Sequence, residues 1–182
     1  MQDRSIPPRL DLRCGRYRAV LMSPERVSDA WVRWVADPHL MLPLGVKPRA
    51  TDKQQLARYV MQMHARQRAV IGIIGGSPEQ HIGLIEVSFE RKHRVATVEV
   101  LIDIRTYDYA GVAREVLPCV LGHLANRFKI EKFVAMVPET HARALAYYTG
   151  SDWSFEAELM EEVPSPALER RLNMHQFAWF PY

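Results

Sequence analysis

The arrangement in this chain with the clearest chemical use is a glycine beside the start of a helix. Gly111 opens a stretch of helical periodicity. A residue without Cβ lets the backbone approach a ligand closely, and the unpaired amides and dipole of a helix N-terminus favour phosphate. Gly111, Val112, Ala113 and Arg114 are therefore placed to cradle an anion. Asp108 competes for that cradle, because aspartate is a favoured N-cap whose carboxylate accepts from the same amides. A full negative charge about 6 Å from a phosphate charge would also cost on the order of 3 kcal/mol at an effective dielectric near 20. Arg105 and Arg114 are the nearby cations that could offset it. Ahead of the loop, Val98, Val100, Ile102 and Ile104 alternate with Glu99, Leu101 and Asp103, giving a strand with one apolar face and one face bearing two acids. A carboxylate there becomes a useful general base only if partial burial lifts its pKa toward working pH. Metal chemistry has little support, since no two of the seven histidines stand at i, i+4. Cys14 and Cys119 lack metal-ligand spacing and are expected to be reduced and structural.

The elements that must position these residues follow from periodicity. Residues 1–14 read as an extended lead-in and 17–22 as a first strand. Ser23-Pro24-Glu25 marks a helix start, followed by a core stripe of Val27, Trp31 and Trp34. Residues 39–50 are apolar but broken by Pro43, Gly45 and Pro48, which predicts a loop over a pocket. Thr51 to Gln54 has the capping-box pattern, and Leu56, Val60 and Met63 give the second helix its buried stripe. Residues 69–74 and 81–89, joined by Gly75-Gly76-Ser77-Pro78, read as an antiparallel hairpin. The acid-bearing strand comes next, then a helix over 111–128 that Pro118 should bend. A strand at 133–137, a short helix over 139–149 and strands near 153–159 and 171–180 complete the chain. The order is β-α-α-β-β-β-α-β-α-β-β. Phe177 and Trp179 are expected in the core.

A chain of 182 residues with 48% apolar, 25% charged and 9% aromatic content suits one packed domain over 1–182 and excludes a disordered or collagenous polymer. No apolar run approaches the roughly 20 residues of a membrane span, and no signal-peptide pattern opens the chain, so a cytoplasmic protein is expected. The net charge of +3 comes from dispersed basic residues nearly balanced by 21 acids. That balance tolerates an anionic cosubstrate but predicts neither nucleic-acid nor membrane binding.

Four features together resemble the GNAT superfamily of N-acetyltransferases, particularly its ribosomal-protein N-terminal and polyamine branches. Ile82-Gly83-Leu84-Ile85 followed by His93 to Val100 looks like the family's hairpin and central strand. Asp108 to Glu115 looks like its pyrophosphate loop, and His141-x-x-Ala144-x-x-x-Tyr148-x-x-x-Asp152-Trp153 has the spacing of its N-x-x-A-x-x-x-Y-x-x-x-G-F signature. The element order is the fourth. Asp108, Tyr109-Ala110, His141 and Asp152 depart from the usual residues. The resemblance implies a single-domain α/β (α+β) fold with a mixed, mostly antiparallel sheet of six or seven strands flanked by helices. It also implies transfer of an acetyl or related acyl group from acetyl-CoA to a primary amine, without a metal. The amine would belong to a small molecule or a protein N-terminus, and a homodimer is among the assemblies the family offers. Carried onto this chain, the resemblance makes Tyr148 the acid beside the leaving thiolate, with Tyr147 as its neighbouring alternative. Glu99 is the first candidate for the base and Glu86 the second. Leu101, Ile102, Gly111, Val112, Ala113, Arg114 and His141 fall at cofactor-binding positions. The competing expectation, raised by Asp108, is a noncatalytic GNAT-like module binding an acyl-CoA, a small molecule or a protein.

Overall fold

The computed structural model describes residues 9–181. The strands are β1 Asp11–Cys14, β2 Tyr17–Leu21, β3 Arg68–Gly75, β4 Gln80–Glu90, β5 Val95–Ile102, β6 Lys132–Pro138, β7 Ser154–Ser165 and β8 Arg170–Trp179. The helices are α1 Asp29–Ala36, α2 Pro38–Met41, α3 Lys53–Ala65, α4 Tyr109–Phe128 and α5 Ala142–Thr149. All eight strands form one sheet in the order β1-β2-β3-β4-β5-β6-β8-β7. Every neighbouring pair is antiparallel except β5 with β6. The strand beyond the expected six or seven is β1, which lies in the supposed lead-in and pairs Asp11 with Val20. Four residues with little apolar alternation carry too weak a pattern to announce a strand; pairing with β2 makes it one.

Alternation along the strands divides the core between the two faces of the sheet. In β3, Ala69, Ile71 and Ile73 pack with α4 and α5, while Val70 packs with Trp31 and Trp34 of α1 and with Leu56, Val60 and Met63 of α3. Ile85 and Leu84 of β4 divide in the same way. Phe177 is buried in the first cluster and Trp179 packs partly buried against it. No helix among the described residues is long and apolar enough to cross a membrane.

Several local expectations are corrected. The Ser23-Pro24-Glu25 signal yields only a 3-10 turn, Pro24–Arg26, with no cap from the Ser23 side chain. α1 starts later, where the Ser28 hydroxyl accepts from Trp31 N at 3.1 Å. α3 is capped by Asp52, which accepts from Gln55 N at 2.7 Å, while Thr51 donates to the Gln55 side chain. The cap therefore sits one residue further along than the T-x-x-Q pattern places it, and the amide it serves is that of Gln55 instead of Gln54. The 39–50 segment is not wholly irregular, because Asp37 and Pro38 nucleate α2 before a 3-10 turn, Leu42–Leu44. α4 begins at Tyr109 and runs unbroken through Pro118, so that proline costs a hydrogen bond without ending the helix. Cys14 and Cys119, expected to be reduced, are joined in a disulfide with Cα atoms 5.7 Å apart. The sequence separation of 105 hides this pair, which meets only because α4 packs across β1.

Candidate active site

The site originates where the two parallel strands part. β5 and β6 pair only from Val95 with Lys132 to Val98 with Ala135. β5 continues to Ile102 held by β4, where Gly83 opposes Ile102, and β6 continues to Pro138 held by β8, where Pro138 opposes Met174. Each strand follows its outer neighbour, and a cavity of about 890 Å³ opens between them. That is within the usual size of a small-ligand site. Glu99, Val100 and Leu101 form one wall and Met136, Val137 and Pro138 the other. Ala144 and Tyr148 of α5, with His141 and Tyr109, line it from the helix side.

Two carboxylates stand together on the β4 side. Glu86 and Glu99 are directly opposed in the β4/β5 register, and both line the cavity. The Tyr59 hydroxyl lies 2.8 Å from Glu86 Oε1 and 2.7 Å from Oε2, donating its proton to this carboxylate. Burial raises the Glu86 pKa; the Tyr59 hydrogen bond opposes that shift and the nearby Glu99 charge adds to it. Glu99 itself is exposed. Burial and the Glu86 charge also drive the Tyr59 pKa up, so its hydroxyl keeps its proton. Asp103, the other acid of the strand pattern, accepts from Trp34 Nε1 at 3.2 Å and sits near Arg105.

Tyr148 is 2% exposed, stacked on Phe177 at 5.4 Å with Trp153 edge-on at 5.0 Å. Burial holds its phenol and that of the neighbouring Tyr109 well above the usual range. Tyr147 is buried beside Tyr148 but does not line the cavity, and burial pushes its pKa up to about 12. His141, an exposed type at a helix start by default, is buried. Its Nδ1 accepts from Ala144 N at 3.3 Å and its ring meets Tyr109 at 5.3 Å. Burial pushes its pKa down to about 4, so it is neutral near pH 7.

The cofactor-binding candidates separate. Leu101 and His141 line the cavity, whereas Ile102 is a core residue. At the proposed cradle, Asp108 accepts from Gly111 N at 2.7 Å, occupying one amide of the first turn. Val112 and Ala113 point their side chains into the core, Arg114 is exposed, and none of residues 111–114 lines the cavity. Arg105 is engaged with Asp37 at 2.8 Å. Among the described residues no cluster of His, Cys, Asp and Glu is arranged to hold a metal. Tyr59 was not singled out by sequence, although it stands three residues after Leu56 on the buried side of α3. Tyr109 is visible in the sequence only as part of Tyr109-Ala110, which stands where the family's loop has glycine and a basic residue.

No family model and no curated protein matches this sequence. Solved structures do match the fold. A spermidine N-acetyltransferase from Vibrio cholerae, in complex with CoA and spermine, superposes with a TM-score of 0.77 at 15% identity, covering 91% of this chain and 96% of that one. A ribosomal L7/L12 alpha-N-protein acetyltransferase in complex with CoA gives 0.79 at 14% identity over 94% and 98%. A GNAT-family acetyltransferase from Bacillus anthracis gives 0.77 at 10% identity over 94% and 99%. The chain thus has the GNAT acetyltransferase fold.

Proposed function

We propose that this GNAT-fold protein is an N-acyltransferase that moves an acetyl or related acyl group from acyl-CoA to a primary amine by direct attack. The observation that carries the reading is the β5/β6 opening, which places a protonated tyrosine and a partly buried carboxylate on one cavity. Glu86 is the better base, because burial raises its proton affinity toward the range a base needs, while Glu99 is solvated. It accepts the ammonium proton and leaves a neutral amine as nucleophile, with Glu99 keeping the local potential negative. Tyr148, its phenol kept protonated by burial, donates the proton that the departing thiolate requires.

The strand opening fits an extended acyl-CoA arm, since β5 beyond Val98 and β6 beyond Ala135 do not pair with each other. Leu101, with Tyr109 at the start of α4 and His141 and Ala144 at the start of α5, lines the opening and would hold it. Once bound, it supplies the acyl carbonyl and a thiol leaving group. The fold neighbours include one complexed with spermine and one named for a ribosomal protein N-terminus, so small-molecule and protein amines both have precedent among them.

A second reading is favoured by one contact, the Asp108 bond to Gly111 N. With that amide occupied and a carboxylate at the cradle, the domain would bind an acyl-CoA, a small molecule or a protein without chemistry. Thermal unfolding with acetyl-CoA and with CoA, followed by turnover over an amine panel, tests both. Ligand at about 100 times its Kd adds roughly 2.7 kcal/mol, which raises Tm by about 5 to 11 °C for a chain of this size. A shift with turnover supports the enzyme; a shift without turnover supports the binding module; no shift at millimolar ligand refutes acyl-CoA binding.

A further inference from the structure

The cavity is uneven in its chemistry. Its adjacent carboxylates, Glu86 and Glu99, are gathered at the β4/β5 register point beside Tyr59. Away from that point the wall toward α1, α2 and α3 is apolar, built by Val35, Met41, Leu44 and Leu56 with the Trp31 indole. Trp31 meets the Tyr59 ring edge-on at 6.3 Å, so aromatic surface borders the carboxylates. At the exposed rim, Lys47 and Arg49 outnumber the exposed Glu162. One end of the cavity therefore suits a single ammonium, the middle suits hydrocarbon, and the rim repels a second cation.

Resting on the acyltransferase reading above, we infer that the acceptor is a primary monoamine carried on an apolar body, not a polyamine. An ammonium entering beside Glu86 meets the two opposed carboxylates, Glu86 and Glu99. The apolar body gains from leaving water against the α1 and α3 side chains. A diamine of equal length would place its second ammonium either against hydrocarbon, without a carboxylate to pair it, or beside Lys47 and Arg49. Both positions are unfavourable.

The decisive pair is hexylamine against 1,6-diaminohexane, which differ by one charge at nearly constant length. Acetyl transfer is followed with acetyl-CoA, and binding of each amine is measured by calorimetry with no acyl donor present. The expected result is a kcat/KM and an affinity at least tenfold higher for hexylamine, with spermidine as poor as the diamine. In the variant K47E/R49E that ratio falls about tenfold. Equal or preferred use of the diamine or spermidine overturns the inference, as does an unchanged ratio in the variant, or binding of neither amine. Calorimetric preference for hexylamine without turnover overturns the acyltransferase reading and leaves only the cavity's selectivity for a monoamine standing; turnover that favours the diamine supports the acyltransferase reading and overturns the inference.

Discussion

Removing the Tyr59 hydroxyl isolates what sets the proton affinity of Glu86. That hydroxyl, 2.7 Å from one carboxylate oxygen and 2.8 Å from the other, stabilises the ionised form and opposes the upward push of burial. In Y59F only burial, the Glu99 charge and distant Arg68 remain. A hydrogen bond to a charged group contributes roughly 1.5 to 3 kcal/mol, which corresponds to about 1 to 2 pKa units. The lower end applies here because both side chains retain some contact with water. The acid limb of the kcat/KM profile for the amine should therefore move up by about 1 unit, with the rate at high pH little changed. Carbon-13 NMR of the labelled glutamate carboxylates reads the same shift without depending on turnover. A limb that stays in place, with an NMR titration that moves, would show that Glu86 is not the base; a downward movement of both would refute the electrostatic reasoning itself.

Three further outcomes follow from individual contacts. D108N keeps an N-cap for Gly111 while removing the charge; because Asp108 is exposed, water screens most of the unscreened cost of about 3 kcal/mol, so CoA affinity measured by calorimetry should rise about tenfold, and a fall would mean that the carboxylate serves the native site. Gly45 adopts φ +71°, and a Cβ there would lie 2.7 Å from Leu172 Cδ1, so G45A should lose about 1 to 2 kcal/mol in urea unfolding. His141 has a folded pKa of about 4 against an ordinary 6.5, so the unfolded chain binds the proton first. Its contribution is complete above pH 6.5 and is lost as pH falls toward 4, by about 3 kcal/mol at that point. H141N keeps a capping side chain, and its stability profile between those pH values should be flatter than that of the native protein.

Much of the architecture was legible from local signals. The period-2 pattern of β5, the turn residues between β3 and β4, and the Leu56, Val60 and Met63 stripe of α3 each depend on neighbours a few positions away. Tyr148 with Ala144, and Gly111 near a helix start, were legible as spacings. What failed locally were the caps, where Ser28 and Asp52 won over Ser23 and Thr51 because the amides they serve are fixed only once the chain has settled on the sheet. β1 failed for a related reason, since an edge strand this short exists through its partner.

The sequence by itself determined the order of the longer elements, though not β1 or α2, together with the acids on β4 and β5 and the phenol on α5, because these are properties of composition and period. Only the tertiary structure decided which of them act together. Pairing of β4 with β5 set Glu86 opposite Glu99, and α3 brought Tyr59 onto Glu86 from 27 residues away. Packing of α4 against α5 buried Tyr109 against Tyr148 and His141. Proton affinity depends on burial and on charges that are distant in the chain, so neither the preference for Glu86 over Glu99 nor the neutral state of His141 could be read before the chain was folded.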